Sequence, residues 1–595
     1  MLLAKAREVL NHYFGYSGFR TRQEEIVKSL LAGEDCLAIM PTGAGKSICY
    51  QIPALLLPGV TLVISPLISL MKDQVDSLRE AGIAASFINS SLSAKEVERR
   101  IIAASQGEYR LLYVAPERLE SDAFIDNMTG LDIALLAIDE AHCVSQWGHD
   151  FRPSYRRILN FVKKLKNRPV VAAFTATATD EVQQDIVKLL GLNNPKFFIS
   201  GFDRPNLSYQ VLKGINKERF LLQYLKDHPD DFGIIYAATR KEVDKIYEML
   251  TENGWRAGKY HAGMRDKERN QVQEDFVFDN IQVMVATNAF GMGIDKSNVR
   301  FVIHYNLPKN MESYYQEAGR AGRDGEPSEC ILLFSPQDII IQKFLIEQSV
   351  YSPVRKKNEY RKLQVMVDYV HTSRCLRQTI LEYFGDQDLT TNCGNCGNCN
   401  SDSELVEITE TAQKIISCVL RMKEQYGITT VAEVLKGSKS KKITGQRFER
   451  LSTYGIMREK SLIEIKDLIN YLIAEDYLYL TESNYPVVKV QPKAIEVVKG
   501  NSKVYQKVLM KKEAPSDDKT LFQQLRVLRK ELAMAEGVPP YIIFSDKTLH
   551  EISERLPVTL TELADINGIG AVKLERYGQQ FLTVVQEFVH TSNQS

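Results

Sequence analysis

Met40-Pro41-Thr42-Gly43-Ala44-Gly45-Lys46-Ser47 lies between the apolar run Cys36-Leu37-Ala38-Ile39 and a segment with helical periodicity. Strand, glycine loop and helix is the order of a phosphate-binding loop. Glycines let backbone N–H groups close on phosphate oxygens, Lys46 supplies a point charge for the β- and γ-phosphates, and Ser47 offers a hydroxyl to Mg²⁺. The general pattern has glycine at position 40, where this chain has methionine. On its own the stretch predicts nucleotide binding and leaves the reaction open.

Outward from this loop, near-continuous apolar runs alternate with helical segments. Thr61–Ile64, Leu111–Val114, Ala134–Ile138 and Val170–Phe174 form one set; Gly233–Tyr236, Val283–Val285, Phe301–Ile303 and Ile331–Phe334 form another. Such runs predict parallel sheets buried on both faces. Asp203-Arg204-Pro205-Asn206 reads as the break between two tandem α/β domains, 1–205 and 206–340.

Ile138-Asp139-Glu140-Ala141-His142 closes one of these strands. An isolated acidic pair is ordinarily a solvated strand end. Downstream of a phosphate loop, Asp139 can hold Mg²⁺ and Glu140 can polarise the attacking water. In the second domain, Gln316–Asp324 sets Arg320 and Arg323 three apart, read as one face of a helical turn. A planar guanidinium can stabilise charge on a transferring γ-phosphoryl group. A surface helix gains nothing from glycines at 319 and 322, which argues against plain salt-bridging arginines.

The chain of 595 residues is long enough for several domains, and 44% hydrophobic with 25% charged residues is ordinary for a globular protein. Lys+Arg and Asp+Glu are equal at 75 each, so a nucleic-acid partner has to be sought in local patches. Residues 436–460 hold eight basic and two acidic residues, and 350–380 hold seven and two. A charge run is usually a solvated face, but Ser438, Ser440, Thr444 and glycines interleave with Lys439, Lys441 and Lys442 in a composition suited to phosphates. With no apolar run of about 18 residues and no leader-like start, neither a membrane span nor secretion is expected.

Five of the nine cysteines are scattered, the pattern of reduced buried thiols. Cys375, Cys393, Cys396 and Cys399 instead form a four-thiolate set, with Gly394 and Gly397 permitting tight turns. Zinc is the default ion for a closed four-cysteine site, with an iron–sulfur cluster as the alternative. The sequence around it is polar, so the ion is expected to serve folding. The acidic stretch Ser401–Glu410 and residues 500–518 read as linkers, enclosing a helical region with a hairpin from Leu478–Thr481 to Val487–Val490.

Pro41–Ser47, Asp139–His142, Thr175-Ala176-Thr177-Ala178 and Gln316–Arg323 resemble motifs I, II, III and VI of superfamily 2 helicases. Phe14-Gly15-Tyr16 with Phe19-Arg20 and Gln23, and the stretch Ala141–Pro153, narrow the resemblance to RecQ-family DNA helicases, and it covers almost the whole chain. It implies a multidomain α/β protein. Two tandem RecA-like parallel-sheet domains (1–205, 206–340) are followed by a zinc-binding helical module (341–404), a winged helix (405–500) and a small all-α HRDC domain (515–595).

The resemblance assigns Tyr16, Arg20 and Gln23 to adenine, and Thr42, Gly43, Gly45, Lys46 and Ser47 to the phosphates. Asp139 and Glu140 fall to Mg²⁺ and water, and Arg320 and Arg323 to ATP across the domain cleft. It accepts Met40, usually has glycine where Ala44 stands, and carries this cysteine spacing as a zinc site.

Trp147, His149, Phe151 and Arg152 sit within six residues, and aromatics such as Trp147 and Phe151 are ordinarily plain core residues. Placed just after Glu140, they can stack on a single strand at about 1–3 kcal/mol per base. Thr175–Thr179 could link the two α/β domains or contact phosphate, and Asp295 reads either as a surface charge or, as its place after the glycines favours, as a coupling residue. Tyr485, at the hairpin turn, is the candidate wedge at the fork. The implied activity is ATP-dependent 3′–5′ DNA unwinding in recombination, repair and replication, with ATP, Mg²⁺ and Zn²⁺ as cofactors. The expected partners are single-stranded, forked and duplex DNA and a single-strand-binding protein. The chain is expected to act as a monomer in the bacterial cytoplasm, at the nucleoid. The rival readings are an RNA helicase with the same motor, and a DNA-binding scaffold with a vestigial ATPase.

Overall fold

The run Cys36–Ile39 is strand β1, buried along its whole length. In the computed structural model, residues 2–592 are described apart from 21, 42, 67, 146, 149–150, 292–295, 387–390, 401–403, 482–485 and 509–519. Strand β1 joins β2 (Val60–Ile64), β3 (Ala85–Ile88), β4 (Leu111–Val114), β5 (Ile133–Ile138), β6 (Val170–Thr175) and β7 (Lys196–Ile199). The sheet order is β3-β4-β2-β5-β6-β1-β7, with every pairing parallel. A second parallel sheet of order β10-β11-β9-β12-β13-β8 is built from β8 (Leu207–Lys213), β9 (Phe232–Tyr236), β10 (Ala257–Tyr260), β11 (Val283–Ala286), β12 (Val299–His304) and β13 (Ser328–Phe334). These are the two RecA-like layers. Helices cover both faces of each, which is why the central strands carry unbroken apolar runs.

The faces are buried in distinct cores. One continuous core runs from the first sheet through Phe202 into the second sheet, and on to Cys375, Leu376, Ile380, Leu381 and Cys396. The cysteine module is therefore not a polar island held by metal alone, as its composition implies. It is packed on the edge of the second sheet, where Cys396 forms a β-bridge with Tyr209 of β8.

Two linker readings change. Glu404–Glu407 is a strand, β14, paired antiparallel with β17 (Tyr505–Val508), closing the winged-helix region at both ends. Short strands with charged residues have no apolar run to announce them. Between them a separate core unites the helices Thr409–Arg421, Ile428–Lys436 and Leu462–Ala474 with the hairpin β15 (Leu478–Leu480) and β16 (Val488–Val490). The last helices, from Thr520 to Ser592, enclose their own core.

This terminal domain rests on both parallel-sheet layers. A Cβ at Gly15 would come within 2.7 Å of the Gly570 nitrogen. Arg576 pairs with Glu80 of the first layer, and Arg526 donates to the Asp230 carbonyl of the second at 3.1 Å. Among the described residues no helix is long and apolar enough to cross a membrane.

Candidate functional site

The phosphate loop leaves β1 at its C-terminal end and enters the helix Lys46–Leu56. Gly43 and Gly45 have φ of +80° and +76°, a left-handed conformation that any side chain would strain. Ala44 has no such φ, and its methyl packs on the first-layer core, so alanine fits there. Met40 is fully buried, with Cys49 Sγ 3.9 Å from its sulfur. Position 40 is thus a core residue immediately after β1, where a side chain is accommodated. Burial pushes the Cys49 thiol up to about 12, leaving it inert beside Lys46.

Asp139 and Glu140 follow β5. Asp139 is nearly buried, and its Oδ1 accepts from the Glu140 N–H at 3.0 Å. Glu140 has φ +47°, costly for a non-glycine residue and characteristic of functional loops. Its Oε2 lies 3.4 Å from His142 Nδ1 and, among the described residues, accepts no hydrogen bond. His142 Nδ1 is 2.9 Å from Thr175 Oγ1 at the end of β6. Thr177 Oγ1 in turn accepts from Gln316 Nε2 at 3.4 Å. The hydroxyl-rich stretch therefore links the layers.

Arg320 and Arg323 do not lie on a helix. The helix Met311–Ala318 ends at Gly319, and both arginines sit in the loop beyond, where Gly322 has φ +55°. Arg320 is buried against Tyr236, whose phenol burial pushes above its ordinary value while the guanidinium opposes the shift. Arg320 Nε has no hydrogen-bond partner among the described residues.

One cleft of about 280 Å³ gathers these groups: Tyr16, Arg20, Gln23, Gly43, Gly45, Lys46, Ser47, Asp139 and Glu140 from the first layer, and Gln316, Arg320 and Arg323 from the second. Two of its cations rest on backbone carbonyls. Lys46 Nζ donates to Met40 O at 3.2 Å and Arg20 Nη1 to Gly43 O at 2.7 Å. The Gln23 amide is engaged at both ends, accepting from the Arg20 N–H and donating to the Ala44 and Gly45 carbonyls at 3.0 and 3.1 Å. In this arrangement it braces the phosphate loop instead of presenting a free edge to a base. Thr42 lies outside the described residues. Cationic and hydroxyl groups facing an acidic pair across 280 Å³ suit a nucleoside triphosphate with Mg²⁺.

The four cysteine sulfurs lie within 4.8 Å of one another, and Cys375 and Cys396 are 3.9 Å apart. A tetrahedral zinc with Zn–S bonds of about 2.3 Å sets its sulfurs about 3.8 Å apart, so the set fits one zinc ion. Backbone N–H groups of Gln378 and Asn395 point at the Cys375 and Cys393 sulfurs, as thiolate ligands require. Gly394 takes the left-handed turn expected, at φ +59°, whereas Gly397 does not and instead lets the chain approach β8.

The residues proposed for DNA are spread more widely. Trp147 is half-buried against the large core. Phe151 receives Arg156 over its ring at 5.0 Å. Arg152 Nη1 is tied to Pro66 O at 2.8 Å, bracing the loop. Lys439 and Lys441 are exposed, while Lys442 donates to Thr430 Oγ1 at 2.8 Å. His149, Tyr485 and Asp295 lie outside the described residues. Sequence reasoning missed Arg204, placed only as a domain break, and Lys362, which forms a buried ion pair with Glu312. Neither has a local pattern to mark it.

The chain matches five families in succession: DEAD/DEAH box helicase over 20–186, helicase conserved C-terminal domain over 216–325, RecQ zinc-binding over 336–400, RQC domain over 402–515 and HRDC domain over 518–585. The ATP-dependent DNA helicase RecQ of Bacillus subtilis (strain 168) is 50% identical over 593 residues, covering 100% of each chain. The chain belongs to the RecQ family. A second RecQ, that of Haemophilus influenzae, is 41% identical and covers 98% of this chain and 96% of its own. The RecQ zinc-binding match ends just past Cys399, so the four sulfurs of this RecQ-family chain fall in the segment that the family uses for zinc.

Proposed function

We propose that this RecQ-family protein is a helicase that hydrolyses ATP to unwind DNA, tracking a single strand 3′ to 5′ in recombination, repair and replication. The observation that carries the reading is the single cleft that holds Lys46, Asp139 and Glu140 from one parallel sheet and Arg320 and Arg323 from the other. Lys46 and the loop N–H groups bind the β- and γ-phosphates. Ser47 and Asp139 hold Mg²⁺, which when bound neutralises developing phosphate charge. Glu140, which lines the cleft, accepts a proton from the attacking water. Arg320 and Arg323 stabilise charge on the γ-phosphoryl group, so hydrolysis requires both layers to be in register. Tyr16 and Arg20 border the base, and Gln23 acts by holding the loop.

The domain boundaries follow the same reading, with the motor at 1–205 and 206–340, a zinc module at 341–404 held by Cys375, Cys393, Cys396 and Cys399, a winged helix near 405–500 that the β14–β17 pair extends to 508, and an HRDC domain at 515–595. Trp147 and Phe151 stack on the tracked strand. Lys439, Lys441 and Lys442 meet duplex phosphates, and Tyr485 is the wedge. The protein works as a monomer at the nucleoid, with single-strand-binding protein as a partner. The test is strand displacement on forked DNA with Lys46→Ala as control. ATPase stimulation by single-stranded DNA and by RNA is compared in parallel. Wild-type unwinding that Lys46→Ala abolishes supports the reading; no unwinding by the wild type, or stimulation by RNA alone, overturns it.

A further inference from the structure

The segment between β7 and β8 does more than connect the layers. Arg204 Nη1 donates to Gly319 O at 3.3 Å, and Nη2 to Ala321 O and Gly322 O at 3.1 and 2.7 Å. Three carbonyls of the loop that carries Arg320 and Arg323 thus converge on one planar fork. The same guanidinium borders the phosphate loop, since a Cβ at Gly43 would lie 3.1 Å from Nη1. Two residues on, Asn206 Nδ2 donates to Gly322 O and Glu326 O at 2.9 and 2.8 Å.

The segment is itself gripped from the cysteine module. Arg377 Nη1 donates to Asp203 Oδ1 and Arg204 O at 2.6 and 2.7 Å. Asn395, between two of the cysteines, donates to Pro205 O at 3.0 Å. Phe384 stacks on Phe202 at 4.8 Å, and Asp386 accepts the Phe202 N–H at 2.9 Å.

We propose that Arg204 is a positioning residue for ATP hydrolysis: it fixes the backbone of the arginine loop against the phosphate loop, and the cysteine module, through Arg377, sets where Arg204 stands. The proposal rests on the reading of Arg320 and Arg323 as groups that reach ATP. The physical ground is that the loop's own backbone bonds are those of successive turns, Arg320 N–H to Glu317 O and Ala321 N–H to Ala318 O, which leave the carbonyls of Gly319 and Ala321 to be fixed from outside. A fork with several parallel donors can fix them, and an ammonium on a flexible stem cannot. A displacement of about 1 Å in such a group costs up to about 100-fold in rate.

The test measures kcat and KM for ATP with saturating single-stranded DNA in Arg204→Gln, Arg204→Lys, Arg377→Gln and Arg320→Ala. Affinity for a fluorescent ATP analogue and bound zinc are measured alongside. Arg204→Gln is expected to lose roughly 10- to 100-fold in kcat, with KM, analogue affinity and zinc content within about threefold of wild type. Arg204→Lys should not restore the rate. Arg377→Gln should show the same kcat-only loss, smaller in size, and this variant carries the test if the Arg204 variants do not fold. Wild-type kcat in Arg204→Gln, recovery by lysine, or a loss confined to KM each overturns the proposal. Unchanged kcat in Arg320→Ala overturns the premise instead, and is distinguishable because it leaves the Arg204 effect without a target.

Discussion

Lys362 and Glu312 form a nearly dry ion pair, Nζ to Oε1 2.8 Å, with side chains 10% and 6% exposed. Glu312 lies on the helix that leads to Arg320, and Lys362 on the helix Pro353–His371. The same ammonium is 3.5 Å from the Trp147 carbonyl. At an effective dielectric of about 20, attraction at this separation is worth about 6 kcal/mol. Withdrawing each charge from water costs several kcal/mol, so the intact pair contributes little net stability. Removing one partner is different, because it strands a buried charge at a cost of about 3–5 kcal/mol.

Lys362→Met and Glu312→Leu should therefore each melt well below the wild type. For a domain of about 150–250 residues the drop is roughly 10 °C. The double variant should recover most of the loss, short of about 1 kcal/mol for the Tyr383 hydroxyl that hydrogen-bonds Glu312. Differential scanning fluorimetry of the four proteins gives the order of midpoints, which is the proper readout for a chain of several domains. If the double variant melts below both single variants, the pair is a net stabiliser and the reasoning fails. Because the double variant keeps the fold while cutting the link to Trp147, it should also show weaker stimulation of ATPase by single-stranded DNA.

Glu140→Gln should reduce ATP turnover by about 10²–10⁴-fold with nucleotide affinity retained, since a general base contributes about that much; a steady-state assay beside analogue binding checks it. Gly45→Ala should impair nucleotide binding, because φ is +76° and the methyl would meet Gln23 Nε2 at 2.5 Å; equal affinity would refute it. Burial raises the Asp368 carboxyl from 3.8 to about 7, so between those values the folded chain holds more protons than the unfolded one. Stability should rise as pH falls from 7 towards 4, by about 2 kcal/mol for a partly exposed group. Urea midpoints across this range should slope less in Asp368→Asn; equal slopes would sink the assignment. Stripping metal with a chelator should release one zinc per chain and open residues 375–400 to protease, read by mass spectrometry.

The central strands were legible because both their faces are covered. β1, β2, β4, β5 and β6, with β9, β11, β12 and β13, show the unbroken apolar runs that such burial demands. The strands that escaped are mostly edges. Ala257-Gly258-Lys259-Tyr260 and Lys196-Phe197-Phe198-Ile199 pair on one side only, and Phe197 stays 53% exposed. Asp139 and Glu140 were readable as a pair because they close the apolar run of β5, and the cleft gathers them with Lys46, Arg320 and Arg323. The fixation of these groups was not legible, because it is non-local. Arg204 reaches a loop 115 residues away, and Lys362 reaches Trp147 across 215. A tract such as Asp203-Arg204-Pro205-Asn206 reads as a linker until the fold closes over it.

The segment Met311–Arg323 is where these distant contacts converge. Gln316 meets Thr177 at the end of β6, Glu312 meets Lys362 beside Trp147, and Arg204 takes the carbonyls of Gly319, Ala321 and Gly322. Glycines shape that loop but cannot stiffen it, so the placing of its arginines leans on supports such as these three. One support comes from the strand next to the phosphate loop, one from beneath the aromatic stretch, and one from the crossing between the layers. The Gln316–Thr177 and Lys362–Trp147 contacts both reach the first layer, so a small rotation of one sheet against the other changes them while leaving both sheets intact. On the proposed reading, DNA at Trp147 can reach hydrolysis through these supports as well as through the neighbouring acidic pair, since Gly148 packs on the His142 carbonyl two residues from Glu140.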